Sequence, residues 1–175
     1  MEKDSLKTMT EIAEKLNRPA HRIIHLCQSG MVVPTVDAAG RGSVRRFSRD
    51  DTLKILVALQ MQELEIQAPL IKPLMRSLDR LMEIREIKEF RKSLVPFDLV
   101  EVICRRLGSE DHPVLAFVTP KDHVALVTPR FFIPPGRDLP VELHSTDRHL
   151  LARSISIVVN LTDNANRLAN TLWAE

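Results

Sequence analysis

Cysteine is scarce in this chain, and long apolar runs are missing. The two cysteines, Cys27 and Cys104, follow no CxxC or metal-finger spacing, which favours a reduced protein. No run of about 18 apolar residues occurs, so a membrane-spanning helix is excluded. The N-terminal sequence MEKDSLKT lacks the apolar core of a signal peptide. We therefore expect a cytoplasmic protein that does not enter a membrane.

Glycine is scarce as well, with five in 175 residues. They are too few and too scattered for phosphate-binding loops of the GxGxxG kind, and no GxSxG turn is present to hold a nucleophile. His112, His123, His144 and His149 include no i, i+4 pair of the sort that binds a metal on a helix. The sequence therefore predicts no enzyme, no cofactor and no metal site.

Positive charge is concentrated in one stretch, although the formal net charge is only +2. Asp37 is the single acid between Lys15 and Arg49. The basic residues of this stretch are Lys15, Arg18, Arg22, Arg41, Arg45, Arg46 and Arg49. Such an excess is typical of a surface that faces phosphates, although a merely solvated basic face has the same composition.

Two short helices are predicted at the start of this stretch. Thr10 is the expected N-cap of the first helix, and Asn17 suits the left-handed residue that ends it. Pro19 fits the first turn of the second helix, which should end before Gly30. In the second helix, the apolar side is formed by Ile23, Leu26 and Cys27, and the outward side by His21, Arg22, His25 and Gln28.

A basic hairpin should follow these helices. The pattern from Val33 to Phe47 reads as strand, turn, strand, with glycines 40 and 42 at the tip. Ser48 and Asp51 then fit a capping box that opens a third, strongly apolar helix. Two helices joined by a tight turn and followed by such a hairpin suit a DNA-binding winged helix-turn-helix.

The segment from Thr10 to about Met75 resembles the DNA-binding domain of MerR-type transcriptional regulators. The matching features are EIAEKL in the first helix, the second helix closing at Gly30, the step MVVP, and the wing RGSVRRFS followed by Asp51. Apolar residues also stand where the family keeps them, at Ile55, Ala58, Met61, Leu64, Ile71 and Leu74. The resemblance implies a dimeric regulator that binds double-stranded DNA.

The chain departs from the family pattern at several positions. Where the family usually carries an arginine and two tyrosines, this chain has Ile24, His25 and Leu26. Glu65 stands where the family has a glycine between its third and fourth helices, and Arg18 stands where an apolar residue is common. These departures bear on base contacts and on promoter distortion more than on the fold.

The predicted DNA-binding surface combines a recognition helix at 19–28 with a basic wing at 40–47. Arginine donates to phosphate in a fixed fork and also reads guanine. Arg45 and Arg46 are expected on the phosphate backbone, and His21 with Arg22 in the major groove. His25 is either a hydrogen-bonding contact or a packing histidine. The full predicted set is Lys15, Arg18, His21, Arg22, His25, Arg41, Arg45 and Arg46.

A long helix at 69–95 is predicted next, with Pro69 at its start and Pro73 within its first turn or so. Ile71, Leu74, Leu78 and Leu81 recur at heptad spacing, and the apolar seam continues through Ile84, Ile87, Phe90 and Leu94. A surface helix of one chain has the same pattern. Agreement with the family favours a dimerisation helix, which would match the protein two-fold axis to paired DNA half-sites.

The residues after Pro96 change character and predict a small α+β domain at 96–175. A helix is expected over 98–107, a hairpin from 113–120 and 123–129, and a loop at 131–136. A strand over 154–161 should lead into a helix from 163 to 173, although a single long helix also fits. Phe131, Phe132, Ile133 and Trp173 either line an effector pocket or form an ordinary core.

The sequence thus predicts a mainly α winged helix-turn-helix domain at 1–68, a dimerisation helix, and a C-terminal domain that binds an effector or a partner protein. The expected function is a dimeric DNA-binding transcriptional regulator. The alternative is a protein-interaction adaptor, or an architectural DNA-binding accessory protein, with the same winged-helix shape. The basic wing favours DNA binding, whereas the missing Arg-Tyr-Tyr run favours the adaptor.

Overall fold

A computed structural model describes residues 6–38, 40, 43–81, 100, 103, 114–118, 124–127, 131–133, 141–142 and 157–172. These residues form five helices and two antiparallel sheets. The helices are α1 (Met9–Leu16), α2 (Ala20–Gln28), α3 (Arg49–Glu63), α4 (Ala68–Leu81) and α5 (Leu161–Leu172). The strands are β1 (Lys7–Thr8), β2 (Arg46–Phe47), β3 (Leu115–Val118), β4 (Val124–Val127), β5 (Phe131–Ile133), β6 (Val141–Glu142) and β7 (Ile157–Asn160).

The first helix begins two residues earlier than predicted, because its N-cap is Thr8 and not Thr10. Thr8 accepts a bond from the Glu11 N–H, and the Glu11 carboxylate accepts from the Thr8 N–H at 2.6 Å. This reciprocal capping box needs an acid or amide three residues after the cap. Thr10 would place Ala13 there, which has no acceptor.

The turn between α1 and α2 follows the prediction closely. Asn17 is in the left-handed conformation with φ 51°, and its N–H bonds to carbonyls of α1. Pro19 is the N-cap of α2 and not a residue of its first turn, and its carbonyl accepts the Arg22 N–H at 3.0 Å. Ile23 and Leu26 are fully buried, and Gly30 follows the helix with φ 68°. The two helices contact each other directly.

The segment 33–47, here called the hairpin segment, is less regular than predicted. Among its described residues, the two predicted strands meet at one bridge, in which Val36 and Arg46 exchange backbone hydrogen bonds of 3.0 and 2.9 Å. Pro34 has no N–H, so the ladder does not extend toward α2. The returning strand, β2, pairs through its other edge with β1, and Thr8 lies opposite Arg46. Phe47 is fully buried, as expected for the inward aromatic.

The third helix forms the centre of the core, since most of its circumference is buried. A helix apolar on nearly all sides is typical of a position surrounded by other elements. Both α2 and α4 contact it, and so does α5 from the C-terminal half of the chain. The predicted capping box between Ser48 and Asp51 is confirmed.

The link from α3 to α4 contains Glu65, one of the positions at which the sequence departs from the MerR pattern it resembles. Glu65 has φ 59°, a left-handed conformation that glycine adopts without strain. We expect Glu65→Gly to raise the free energy of unfolding by about 1 kcal/mol, because the strain it removes exceeds the entropy that glycine adds to the unfolded chain. Urea unfolding measures this effect.

The matched control for that substitution is Gln67→Gly, two residues on and also exposed. Gln67 has no positive φ, so glycine there removes no strain and should lower stability by about 0.5 kcal/mol. Equal effects of the two substitutions would show that the left-handed residue carries no strain.

The fourth helix buries the first part of the predicted dimer seam within its own chain. Ile71, Leu74 and Leu78 are fully buried in the core, so they are not available to a second protomer. Pro73 lies inside α4 and not in its first turn. The later seam residues Ile84, Ile87, Phe90 and Leu94 lie outside the described residues, and dimerisation stays a prediction.

The C-terminal half contributes a five-stranded sheet in the order β6-β5-β4-β3-β7. The predicted hairpin is confirmed, since β3 and β4 pair antiparallel with Leu115 opposite Val127. The prediction of a loop at 131–136 is wrong over its first three residues: β5 pairs with β4, with Ile133 opposite Leu126. Pro134 and Pro135 suggested a loop from the sequence. In the structure, residues 131–133 instead pair with the edge of β4 that does not face β3.

The end of the chain confirms a strand followed by a helix, at β7 and α5. Asn160 caps α5 by accepting the Asp163 N–H at 3.0 Å. The helix expected over 98–107 lies outside the described residues, apart from the buried Val100 and Ile103. The buried side chains form one hydrophobic cluster that runs from Ile12 to Leu168.

This cluster includes residues from both the predicted N-terminal and C-terminal domains, and the domain boundaries at 68/69 and 95/96 stay predictions. No helix among the described residues is both long and apolar enough to cross a membrane.

Candidate functional site: the exposed face of the second helix and its basic neighbours

The outward side of α2 presents an uninterrupted polar stripe. His21, His25 and Gln28 are all exposed and follow one another at i, i+4 and i+7, so they share one face of the helix. Ile23 and Leu26 on the opposite side fix this orientation because both are fully buried. Within the described part of the chain, neither histidine has an ion-pair partner. We call His21, His25 and Gln28 the α2 face.

Two predicted arginines share one acid at the beginning of α2. The Arg18 Nε lies 2.6 Å from a Glu63 carboxylate oxygen, and the Arg22 Nη1 lies 3.6 Å from the same oxygen. All three side chains are about one-third exposed. Glu63 is the last residue of α3, so the contact joins α3 to the turn before α2. One carboxylate neutralises only one of two guanidiniums, which leaves a net positive charge.

A second ion pair lies in the hairpin segment. The Arg45 Nε donates to the Asp37 Oδ1 at 2.8 Å, across the two sides of the segment. This bond lowers the pKa of Asp37 and raises that of Arg45. Burial raises the pKa of the Cys27 thiol on α2, and the positive charge of Arg45 acts on that thiol in the opposite direction. Arg45 therefore lies beside α2.

The next residue, Arg46, lies on the same extended stretch as Arg45 but projects from the opposite face of the hairpin segment. Successive residues of an extended chain point to opposite faces, so Arg45 and Arg46 diverge. The Thr8 backbone N–H lowers the pKa of Glu11, and the nearby charges of Lys7 and Arg46 lower it further. Arg46 is thus directed toward the N-terminal end of α1, and the two arginines do not form one contact.

The buried Asp51 anchors the hairpin segment to α3. Its Oδ2 accepts from the Thr35 N–H at 2.8 Å, from the Thr35 hydroxyl at 2.6 Å and from the Ser48 N–H at 3.0 Å. Three donors on one carboxylate oxygen make a short, charge-assisted set of bonds. This contact fixes where the hairpin segment leaves α2 and where it returns to α3.

The predicted site residues thus fall into three groups. His21, Arg22, His25 and Arg45 lie on or beside α2, with Arg18 at its start. Arg46 projects from the opposite face of the hairpin segment, and the exposed Lys15 is in the last turn of α1. Arg41 lies outside the described residues. The acids that position this surface, Glu63, Asp37 and Asp51, were not predicted as members of it.

A metal site and an effector pocket are the other kinds of site to consider. No group of three or more His, Cys, Asp or Glu side chains lies close enough there to hold a metal ion. Trp173 and the side chains of Phe131, Phe132 and Ile133 lie outside the described set, so an effector pocket lined by them stays a prediction. No protein-family model matches the chain, and no curated protein sequence matches it closely.

Proposed function

We propose that this protein is a regulator that binds double-stranded DNA through a winged helix-turn-helix at its N-terminus. In this proposal α1 and α2 are the helix-turn-helix, α2 enters the major groove, and the hairpin segment is the wing. The observation that carries the proposal is the α2 face, a polar stripe with Arg45 beside it and no ion pair on its histidines within the described residues. A helix that buries one side and presents unpaired polar groups on the other suits base recognition.

The charges around α2 support phosphate contacts on both sides of the groove. Arg18 and Arg22 retain unused guanidinium donors at the start of α2, since one carboxylate serves both. The Arg45 and Arg46 side chains project from opposite faces of the hairpin segment, so they would reach different phosphates. Lys15 adds an exposed charge at the end of α1. Phosphate contacts of this type set the register, while the α2 face reads the bases.

The proposed dimer depends on the seam at 84–94, because Ile71, Leu74 and Leu78 are used within the chain. Two copies related by a two-fold axis would place their α2 helices on half-sites about 34 Å apart. Sedimentation velocity of the full chain over a range of concentrations measures this pairing, and a monomer at all of them contradicts it.

The test of DNA binding is a titration of random duplex at several salt concentrations, followed by selection from a random-sequence library. A regulator should bind random duplex weakly, with a steep salt dependence, and should enrich a defined motif. Binding without enrichment would identify an architectural DNA-binding protein. No binding at low salt would overturn the proposal.

In this proposal Glu63 competes with DNA phosphates for Arg18 and Arg22. Its removal should therefore increase the affinity for DNA, whereas removal of a basic residue should decrease it. Glu63→Gln should tighten binding to duplex DNA by about threefold to fivefold at low salt, because it frees Arg18 and Arg22 from a surface ion pair. Fluorescence anisotropy with a labelled duplex measures the change.

The matched control is Glu65→Gln, two residues away on the exposed link to α4. It changes the net charge equally, but Glu65 has no ion pair among the described residues. An equal increase in affinity from both substitutions would show that only overall charge matters, and that Glu63 has no particular influence on the arginines.

A protein-interaction adaptor is the second candidate, and the hairpin segment favours it in one respect. Val33, Val36 and Val44 are 72%, 44% and 56% exposed, an apolar surface that a partner protein would cover. Arg22 and Arg45 already have acidic partners, as they would in a protein without a DNA ligand. The titration of random duplex at low salt separates the two candidates.

A further inference from the structure

A pocket lies between the chain that follows α2 and one face of α4. Its volume is about 180 Å³, and it is lined by Gly30, Met31, Val33, Lys54, Lys72, Met75, Arg76 and Asp79. The α4 residues at positions 72, 75, 76 and 79 recur at spacings of three and four, so they form one face of that helix. The opposite wall comes from the chain that follows α2, and the Lys54 side chain of α3 completes it.

The charges in this pocket do not balance. The Lys54 ammonium forms an ion pair with Asp79, and its side chain is only 13% exposed. Lys72 and Arg76 have no carboxylate within ion-pair distance among the described residues. Two like charges at i and i+4 repel each other on a helix. The four charged groups therefore carry a net charge of +2, made up of three cations and one anion.

The remaining walls of the pocket are apolar. Met31 and Met75 are almost fully buried and face the pocket from its two sides. Methionine side chains adapt to irregular apolar ligands. A volume of about 180 Å³ is room for a phosphate group with a short apolar body.

We propose that this pocket binds a small phosphate monoester that carries an apolar group. The phosphate would lie between Lys72 and Arg76, where a charge of about −2 matches the unbalanced +2 of the pocket. Arginine and lysine are the side chains that recognise phosphate, the first through its planar fork and the second as a point charge. The apolar group would contact Met31 and Met75.

This pocket contains none of the residues assigned to DNA contact, and its test needs no DNA. The probe is phenyl phosphate, titrated into the isotope-labelled full chain while amide resonances are recorded. We expect saturable shifts at Gly30, Met31 and Met75 with a Kd below about 1 mM. Inorganic phosphate should bind at least about threefold more weakly, since it has no apolar group to pack against the methionines, and phenol should not shift these resonances.

The decisive variant is Lys72→Ala with Arg76→Ala, which should weaken phenyl phosphate binding at least about tenfold. Both side chains lie on the surface of α4, and an unchanged urea midpoint would verify that the variant folds. Arg167→Ala on α5 removes an exposed cation outside the pocket and should leave the affinity unchanged. Absence of saturable binding, or equal weakening by Arg167→Ala, would overturn the proposal.

Discussion

Asp51→Ala should lower the free energy of unfolding by about 3 kcal/mol, because three donors lose their shared acceptor at once. Asp51 is only 6% exposed, so water cannot fully replace the missing hydrogen bonds. One of these three bonds is the acid half of the Ser48 capping box. The substitution also removes the two bonds to Thr35 that hold the start of the hairpin segment.

Urea unfolding of three variants separates these contributions. Thr35→Ala removes only the hydroxyl bond and should cost about 1 kcal/mol, while Asp51→Asn keeps an oxygen acceptor and should fall between the two. Glu14→Ala is the control, since it removes an exposed acid of α1 that has no side-chain partner among the described residues. A cost below about 1 kcal/mol for Asp51→Ala would show that the hairpin segment is held by other contacts.

The capping box shows what the sequence alone predicts well. Ser48 and Asp51 are three residues apart, so their pairing depends only on local geometry. The left-handed Asn17, the end of α2 before Gly30 and the apolar stripe of α2 are local in the same sense, and each is confirmed. Misassigning the first cap to Thr10 is an error of the same kind, because the acid at position 11 pointed to Thr8.

The contacts that shape the candidate site were not predictable in that way. Glu63 meets Arg18 and Arg22 across 45 and 41 positions of sequence, and Thr35 meets Asp51 across 16. No local pattern identifies such partners, because α3 must first pack against α2. The dimer seam illustrates the same limit, since heptad spacing does not distinguish a helix that packs on its own core from one that pairs with a second copy.

The strand order of the C-terminal sheet follows the same rule. The hairpin of β3 and β4 was predictable because its strands are adjacent in sequence. The pairing of β3 with β7 joins Leu115 to Asn160, and nothing in either stretch specifies the other. Sequence reasoning therefore reached β3, β4, β7 and α5, but it missed β5, β6 and the order of the strands in the sheet.

Arg45→Ala combined with Arg46→Ala should weaken binding to all duplex DNA by about thirtyfold at low salt, if the hairpin segment is a wing. The weakening should be nearly independent of sequence, because both arginines are assigned to phosphates. The plot of log affinity against log salt should become shallower by about two, or slightly less than one for each phosphate that is no longer neutralised. Fluorescence anisotropy at four salt concentrations gives both quantities.

The single variants Arg45→Ala and Arg46→Ala make this prediction sharper, because the two side chains project from opposite faces of the hairpin segment. Arg45 is already bonded to Asp37, so its release costs an ion pair and Arg45→Ala should have the smaller effect. Arg46 has no ion-pair partner among the described residues, and Arg46→Ala should account for most of the weakening. Arg167→Ala on α5 is the control for a change of one charge. An unchanged affinity and salt dependence in the double variant would exclude the hairpin segment from DNA binding and leave its exposed valines as a surface for a partner protein.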